Sequence, residues 1–203
     1  MSDMKFDPEK QHRKSIRLPE YDYSGEGAYF VTICTQNREC LFGNIRNGKM
    51  ELSAIGRVVR DCWKEIPKHF DHARVKDFVV MPNHLHGIVV LEKRVEYIQP
   101  LQKQMGNQIV GVQYIEPAFQ KGTARYQYQK VAPNSVGSIV RSYKAAVSRI
   151  CRENLLHSPI WQRNYYEHIV RSGQELYKIR EYIRANPLMW KTDPENQTLQ
   201  TRL

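Results

Sequence analysis

The stretch "FVVMPNHLHGIVVL", residues 78–91, decides how the rest of this chain is read. Val79, Val80, Ile88, Val89 and Val90 are β-formers, and Pro82 with Asn83 breaks the run just before the histidines. Side chains of a strand alternate between faces, so His84 and His86 share one face and Leu85 takes the other. Two imidazoles side by side at the start of a strand can grip one metal ion. The alternative is two separately hydrogen-bonded histidines near a sheet edge.

Working outward, "ARVKDFVVMP" (73–82) and "HLHGIVVLE" (84–92) read as two strands of an antiparallel hairpin that turns at "MPN". "AYFVTICTQ" (28–36) is an earlier strand, rich in aromatic and β-branched residues. "NGK" at 47–49 predicts a small hairpin between "LFGNIR" and "MELS". "SAIGRVVRDCWKEIPKHF" (53–70) opens on a Ser53 cap and carries Ile55, Val58, Val59, Cys62, Trp63 and Ile66 at helical spacing. A second helix, 134–154, has an apolar stripe of Ile139, Val140, Tyr143, Ala146, Val147 and Ile150, with Arg141, Lys144, Arg149 and Arg152 toward solvent. "IWQRNYYEHIVR" (160–171) reads as loop plus short strand. A last helix begins at "SG" (172–173) and is stopped by Pro187, because proline disfavours helix at the residue before it.

The order strand, helix, strand, strand, helix, strand, helix predicts an α+β, two-layer fold: a small antiparallel sheet with helices packed on it. Residues 1–26 are a polar arm, 27–191 the domain, 94–134 a variable insertion without periodicity, and 192–203 a C-terminal tail.

Composition narrows the function classes. Lys and Arg number 31 against 21 Asp and Glu, a formal net charge of +10. That excess favours a polyanionic partner, through attraction to phosphates and counterion release. The four cysteines (34, 40, 62, 151) form no Cys-x-x-Cys pair, so neither a zinc ribbon nor a disulfide framework is expected. The N-terminus lacks the apolar core of a secretory signal, and no apolar run approaches the roughly 20 residues that span a bilayer. A cytoplasmic protein with no membrane partner is the expectation.

The last helix holds candidates for a site. Tyr182 and Asn186 are four apart and project from one helical face. Asn186 can offer a carbonyl oxygen to a metal, and Tyr182 a hydroxyl to a phosphorus. Against this, tyrosines on amphipathic helices are usually packing residues. Tyr177 lies on a different face and suits packing better.

Taken together, these motifs resemble the single-tyrosine HUH transposases. "MPNHLHGIVV" looks like their histidine-hydrophobe-histidine motif. "YIRANPLMW" looks like the tyrosine helix of the REP-associated tyrosine transposase branch, and "IWQRNYYEHIVR" and "YFVTICTQNRECLFG" match further parts of that branch. The resemblance covers roughly residues 12 to 190 except 94–134. It implies the HUH, ferredoxin-like form of the fold, His84 and His86 as metal ligands, Asn186 as the third, and Tyr182 as nucleophile. It also implies a metal-dependent DNA strand transferase acting on single-stranded or hairpin DNA, as a monomer or homodimer.

The chemistry is consistent with that expectation. A tyrosine that attacks a phosphodiester conserves the bond energy in a 5′-phosphotyrosine, so no ATP is required and no P-loop pattern is present. Imidazole nitrogen with amide oxygen suits Mg²⁺ or Mn²⁺. From Ser135 to Lys191 there are ten Lys/Arg against four Glu, or +6 of the chain's +10. Arg141, Lys144, Arg163 and Arg171 are the expected DNA contacts, and Trp161, Tyr165 and Tyr166 either stack on unpaired bases or form core. Two competing readings are a regulatory DNA-binding protein with little cleavage and a histidine-metal hydrolase of a small substrate. The charge and the lack of a general-base carboxylate beside the histidines count against the second.

Overall fold

The computed structural model describes residues 22–92, 132–155 and 159–196. Most of the expected arm, nearly all of the 94–134 insertion and the tail beyond 196 lie outside the described residues. The elements in order are β1 (Gly27–Cys34), β2 (Gly43–Arg46), β3 (Lys49–Leu52), α1 (Ala54–His69), β4 (Ala73–Val80), β5 (His84–Leu91), α2 (Val136–Leu155), β6 (Tyr166–Val170) and α3 (Gly173–Ala185).

The expected small antiparallel sheet with helices on it is what forms. Its order is β4-β5-β1-β6, and every neighbouring pair is antiparallel. The β4–β5 hairpin turns at Met81–Asn83, where the sequence placed it. β2 and β3 make a separate two-stranded hairpin. Its turn needs two left-handed residues, and Asn47 (φ 51°) and Gly48 (φ 71°) supply them.

Local chemistry sets the helix ends. The Ser53 side chain accepts from Gly56 N at 3.0 Å and caps α1. Ser172 does the same for α3 through Glu175 N at 3.1 Å. α3 ends at Ala185, near Pro187, but Asn186 keeps helical angles (φ −55°, ψ −43°), so the proline does not act by extending the residue before it as the sequence predicts.

Alternation along the two central strands divides the molecule. On one face, Tyr29, Val31 and Ile33 of β1 and Leu85 and Val89 of β5 join the core with Val59, Trp63 and Ile66 of α1 and Ile139, Val140, Tyr143 and Val147 of α2. In α2, Cys151 is fully buried where the sequence favoured Ile150, which is only half-buried, as is Ala146. The Tyr143 hydroxyl donates to Val59 O at 3.1 Å and ties the two helices. On the other face lie His84 and His86, and α3 crosses it with contacts to β4 and β6. The sheet thus carries α1 and α2 on one side and α3 on the other.

One glycine sets how closely α1 approaches. Gly87 pairs with Val31 on the core face, and a Cβ there would fall 2.4 Å from Cζ2 of Trp63. The indole therefore lies against bare strand backbone, edge-on to Tyr143. Gly87→Val should lower the unfolding free energy by about 1–3 kcal/mol in urea titrations, as overpacking does, because Trp63 is fully buried and has nowhere to retreat.

Candidate metal and nucleophile site

The β1–β5 register builds the floor of the site. Cys34 pairs with His84, Thr32 with His86, and Phe30 with Ile88. Facing residues of a ladder share a side, so this row lies opposite the main core. Both histidines are buried, and their rings are 4.3 Å apart. His86 Nδ1 lies 2.8 Å from Thr32 Oγ1. His84 Nδ1 lies 2.8 Å from Asn83 Oδ1.

α3 brings Tyr182 over this floor. A bulge between Val75 and Phe78 adds one residue to β4, and Asp77 sits in it. Its carboxylate meets Arg180 Nε at 2.9 Å and an Arg184 Nη at 3.2 Å. At the other end of the helix, His168 Nε2 on β6 lies 2.7 Å from Glu175 Oε1. Held at both ends, the helix sets the Tyr182 hydroxyl 3.1 Å from His86 Nε2, with its ring edge-on to Phe30. Tyr182 is still 43% exposed, so the hydroxyl is within reach of a large substrate. Tyr177 is 63% exposed, so the packing role expected of it is not found.

Asn186 follows one turn later and is buried. Its Nδ2 donates to Asp193 Oδ2 at 3.0 Å, while Oδ1 is buried without a partner among the described residues. Asp193 is the residue the sequence reading missed. The chain reverses after Pro187, runs through a short 3₁₀ turn at Trp190–Thr192, and brings the Asp193 carboxylate to 3.9 Å from His84 Nε2. The tail boundary drawn at 192 therefore falls inside the site. His84, His86 and Asp193 form a group that could hold a metal ion, with one donor atom from each within 4.8 Å of the others.

The donor chemistry fits a divalent cation. His84 Nε2 and Asn186 Oδ1 are both buried and both without hydrogen-bond partners among the described residues. Such atoms are costly in an interior unless something fills their valence. Nitrogen, amide oxygen and carboxylate oxygen form a hard-to-borderline set, and no thiolate is needed. All four cysteines are free.

Burial governs protonation here. It pushes His86 down to about 3 and His84 well below its usual value, with His86 and Arg38 adding to the shift on His84. Both rings are neutral at pH 7 and able to act as ligands. Burial, and then the Asp193 charge, raise the Tyr182 phenol, so it is protonated at rest. Burial also raises the Asp193 carboxyl.

The expected DNA contacts separate into two kinds. Arg141, Arg163 and Arg171 have exposed side chains. Lys144 does not act as a free surface charge. Its ammonium donates to Gln162 O at 2.7 Å and Asn164 O at 2.8 Å and lies 6.0 Å from the Trp161 ring centre. Burial lowers its pKa to about 8. The helical pattern placed Lys144 toward solvent, and it is the 162–164 loop, distant in sequence, that covers it. Trp161 belongs to the core, against Phe42 and Tyr143. Tyr166 is the exposed member of the aromatic trio and pairs with Thr32, on the histidine face. Among the described residues no helix is long and apolar enough to cross a membrane.

No family model matches the chain. An uncharacterized protein of Haemophilus influenzae is 42% identical over 190 residues, covering 93% of this chain and 96% of that protein. A second protein of the same organism, by name a candidate REP-associated tyrosine transposase, is 22% identical over 167 residues, covering 82% of this chain and 73% of that one. Among solved structures, a REP-associated tyrosine transposase bound to a REP hairpin is similar in fold. It has a TM-score of 0.52 and 17% identity, over 85% of this chain and 74% of that chain.

The buried imidazoles give a signed pH dependence. Their folded pKa values lie below the unfolded value near 6.5, so the unfolded chain binds more protons at acid pH. The histidines' contribution to the stability of the metal-free protein should be constant above that value and fall as pH drops from about 6.5 toward about 3. The raised Asp193 carboxyl opposes this only near its own range, around pH 4 and above. Urea titrations between pH 7 and 5 should show the loss, and His86→Gln should reduce its slope.

Proposed function

We propose that this chain, which belongs to the same family as the 42%-identical uncharacterized protein of Haemophilus influenzae and has the fold of a REP-associated tyrosine transposase, is a DNA strand transferase that cleaves and rejoins single-stranded or hairpin DNA through Tyr182. The observation that carries the reading is the convergence of five side chains from three parts of the chain. The Tyr182 hydroxyl lies 3.1 Å from His86 Nε2, beside His84, Asn186 and Asp193, whose donor atoms are buried.

His84 Nε2, His86 Nε2, Asn186 Oδ1 and the Asp193 carboxylate would hold Mg²⁺ or Mn²⁺. When bound, that ion supplies Lewis-acid polarisation of the scissile phosphate. The chain's own groups do the rest. α3 presents the phenol oxygen for attack, and the oxygen–phosphorus bond forms as the bond to the 3′-oxygen breaks. The phenol loses its proton during attack, and the leaving 3′-oxygen gains one. The product is a 5′-phosphotyrosine and a free 3′-hydroxyl, and a DNA hydroxyl reverses the step. Phe30 and His86 fix the ring's position by packing against it, which restricts the approach geometry. Arg141, Arg163 and Arg171 attract the phosphate backbone.

Tyr182→Phe should abolish the denaturation-resistant adduct with labelled hairpin DNA and leave binding nearly intact, because the ring keeps its packing. An adduct that persists would place the nucleophile elsewhere, with the exposed Tyr177 the first suspect. A wild-type protein that binds hairpins and never forms an adduct would favour the regulatory DNA-binding reading.

The double variant Arg141→Ala, Arg163→Ala should flatten the salt dependence of binding. The log–log slope should shrink by roughly 0.7–0.9 for every phosphate that is no longer neutralised. Lys144→Ala should act instead through the 162–164 loop it holds. An unchanged slope in the folded double variant would move the DNA path toward Arg171 and α3.

A further inference from the structure

The Pro-Asn turn ahead of the histidines has a role that the nucleophile and metal assignments leave unused. Asn83 is buried, and its Nδ2 lies 3.1 Å from Arg38 O and 2.7 Å from Glu195 O. Carbonyl oxygens only accept, so the amide must turn its NH₂ toward them. Its oxygen then faces His84 Nδ1 at 2.8 Å. An amide oxygen also only accepts, so Nδ1 must carry a hydrogen. A neutral imidazole has a single N–H, and Nε2 is left with its lone pair. That is the nitrogen buried without a partner among the described residues, 3.9 Å from Asp193 Oδ2.

The second imidazole is not constrained in this way. The neighbour of His86 Nδ1 is the Thr32 hydroxyl, which can donate or accept. The same Asn83 NH₂ also fastens the segment that delivers Asp193. Glu195 is further held by an ion pair with Arg38, and Glu195 N donates to Asp193 Oδ1 at 2.7 Å. The backbone of the turn is secured separately: Thr35 N and Thr35 Oγ1 donate to Asn83 O at 2.9 and 3.0 Å, and Phe42 N to Pro82 O at 2.9 Å. The side chain of Asn83 is thus free to serve the site.

We propose that Asn83 is the positioning residue of the metal site: one carboxamide fixes the His84 tautomer that leaves Nε2 open to a divalent cation and ties the Asp193-bearing segment to the end of β1. This rests on the reading of His84 as a ligand. Partners that orient a ligating imidazole typically change metal affinity 10- to 100-fold when removed.

The test uses the full chain, Mn²⁺ as the probe, and two readouts. Nitrogen-15 spectra of the metal-free protein should show His84 protonated at Nδ1 and bare at Nε2. Calorimetric Mn²⁺ titration of Asn83→Ala should show affinity weakened about 10- to 100-fold, with the His84 nitrogens averaged between tautomers. Asn83→Asp keeps an oxygen toward Nδ1–H and removes both N–H bonds. It should retain the Nδ1 proton and lose hydrogen-exchange protection at the Asp193 and Asn196 amides. It also serves if the alanine variant does not fold. A wild-type His84 protonated at Nε2, or an Asn83→Ala protein with unchanged Mn²⁺ affinity, overturns the proposal. Failure of the wild type to bind Mn²⁺ would sink the metal reading, while the nitrogen spectra would still decide the tautomer.

Discussion

The pairing register of β1 against β5 is the constraint from which the rest follows. With a side-chain period of two, a slip of one residue would turn both histidines into the main core and expose Leu85 and Val89. The register is pinned from the core side by Tyr29, Val31 and Ile33 packing with Leu85 and Val89, and by Trp63 seated on Gly87. An apolar core that has no chemistry of its own therefore holds the polar site in place.

The site is built almost wholly from neutral groups, and this explains how it tolerates burial. A charged imidazolium at His84 or His86 would carry a large desolvation cost, so both rings stay neutral and make hydrogen bonds at Nδ1. Asp193 is the one carboxylate, and the Asn186 amide donates to it. The open valences that remain, His84 Nε2 and Asn186 Oδ1, are both lone pairs.

Much of this was legible in the sequence, because it rests on periodicity and local capping. The strands around the two histidines and the Ser53 and Ser172 helix starts all follow from short-range rules. So does the sharing of one helical face by Tyr182 and Asn186. What escaped depends on contacts between distant segments. Asp193 follows a proline and an irregular turn, where no period predicts a direction. Lys144 obeys the helical pattern and is nevertheless covered, because the 162–164 carbonyls return over it. Trp161 could have been a stacking surface or core, and only the packing of Phe42 and Tyr143 against it decides for core. Asn83 read as a turn former, and its side-chain partners at Arg38 and Glu195 are 45 and 112 residues away.

The bulge in β4 has a consequence for which imidazoles the tyrosine meets. Asp77 grips Arg180 and Arg184 of its own chain, and those residues flank Tyr182 in sequence. The phenol thereby lies against an imidazole of the same polypeptide. A helix that instead crossed to a second copy would have to give up two ion pairs to this carboxylate, the Arg184 one also a charge-assisted hydrogen bond, and the Glu175–His168 contact at its other end. One chain's own contacts bring the tyrosine, both histidines, the amide and the carboxylate together.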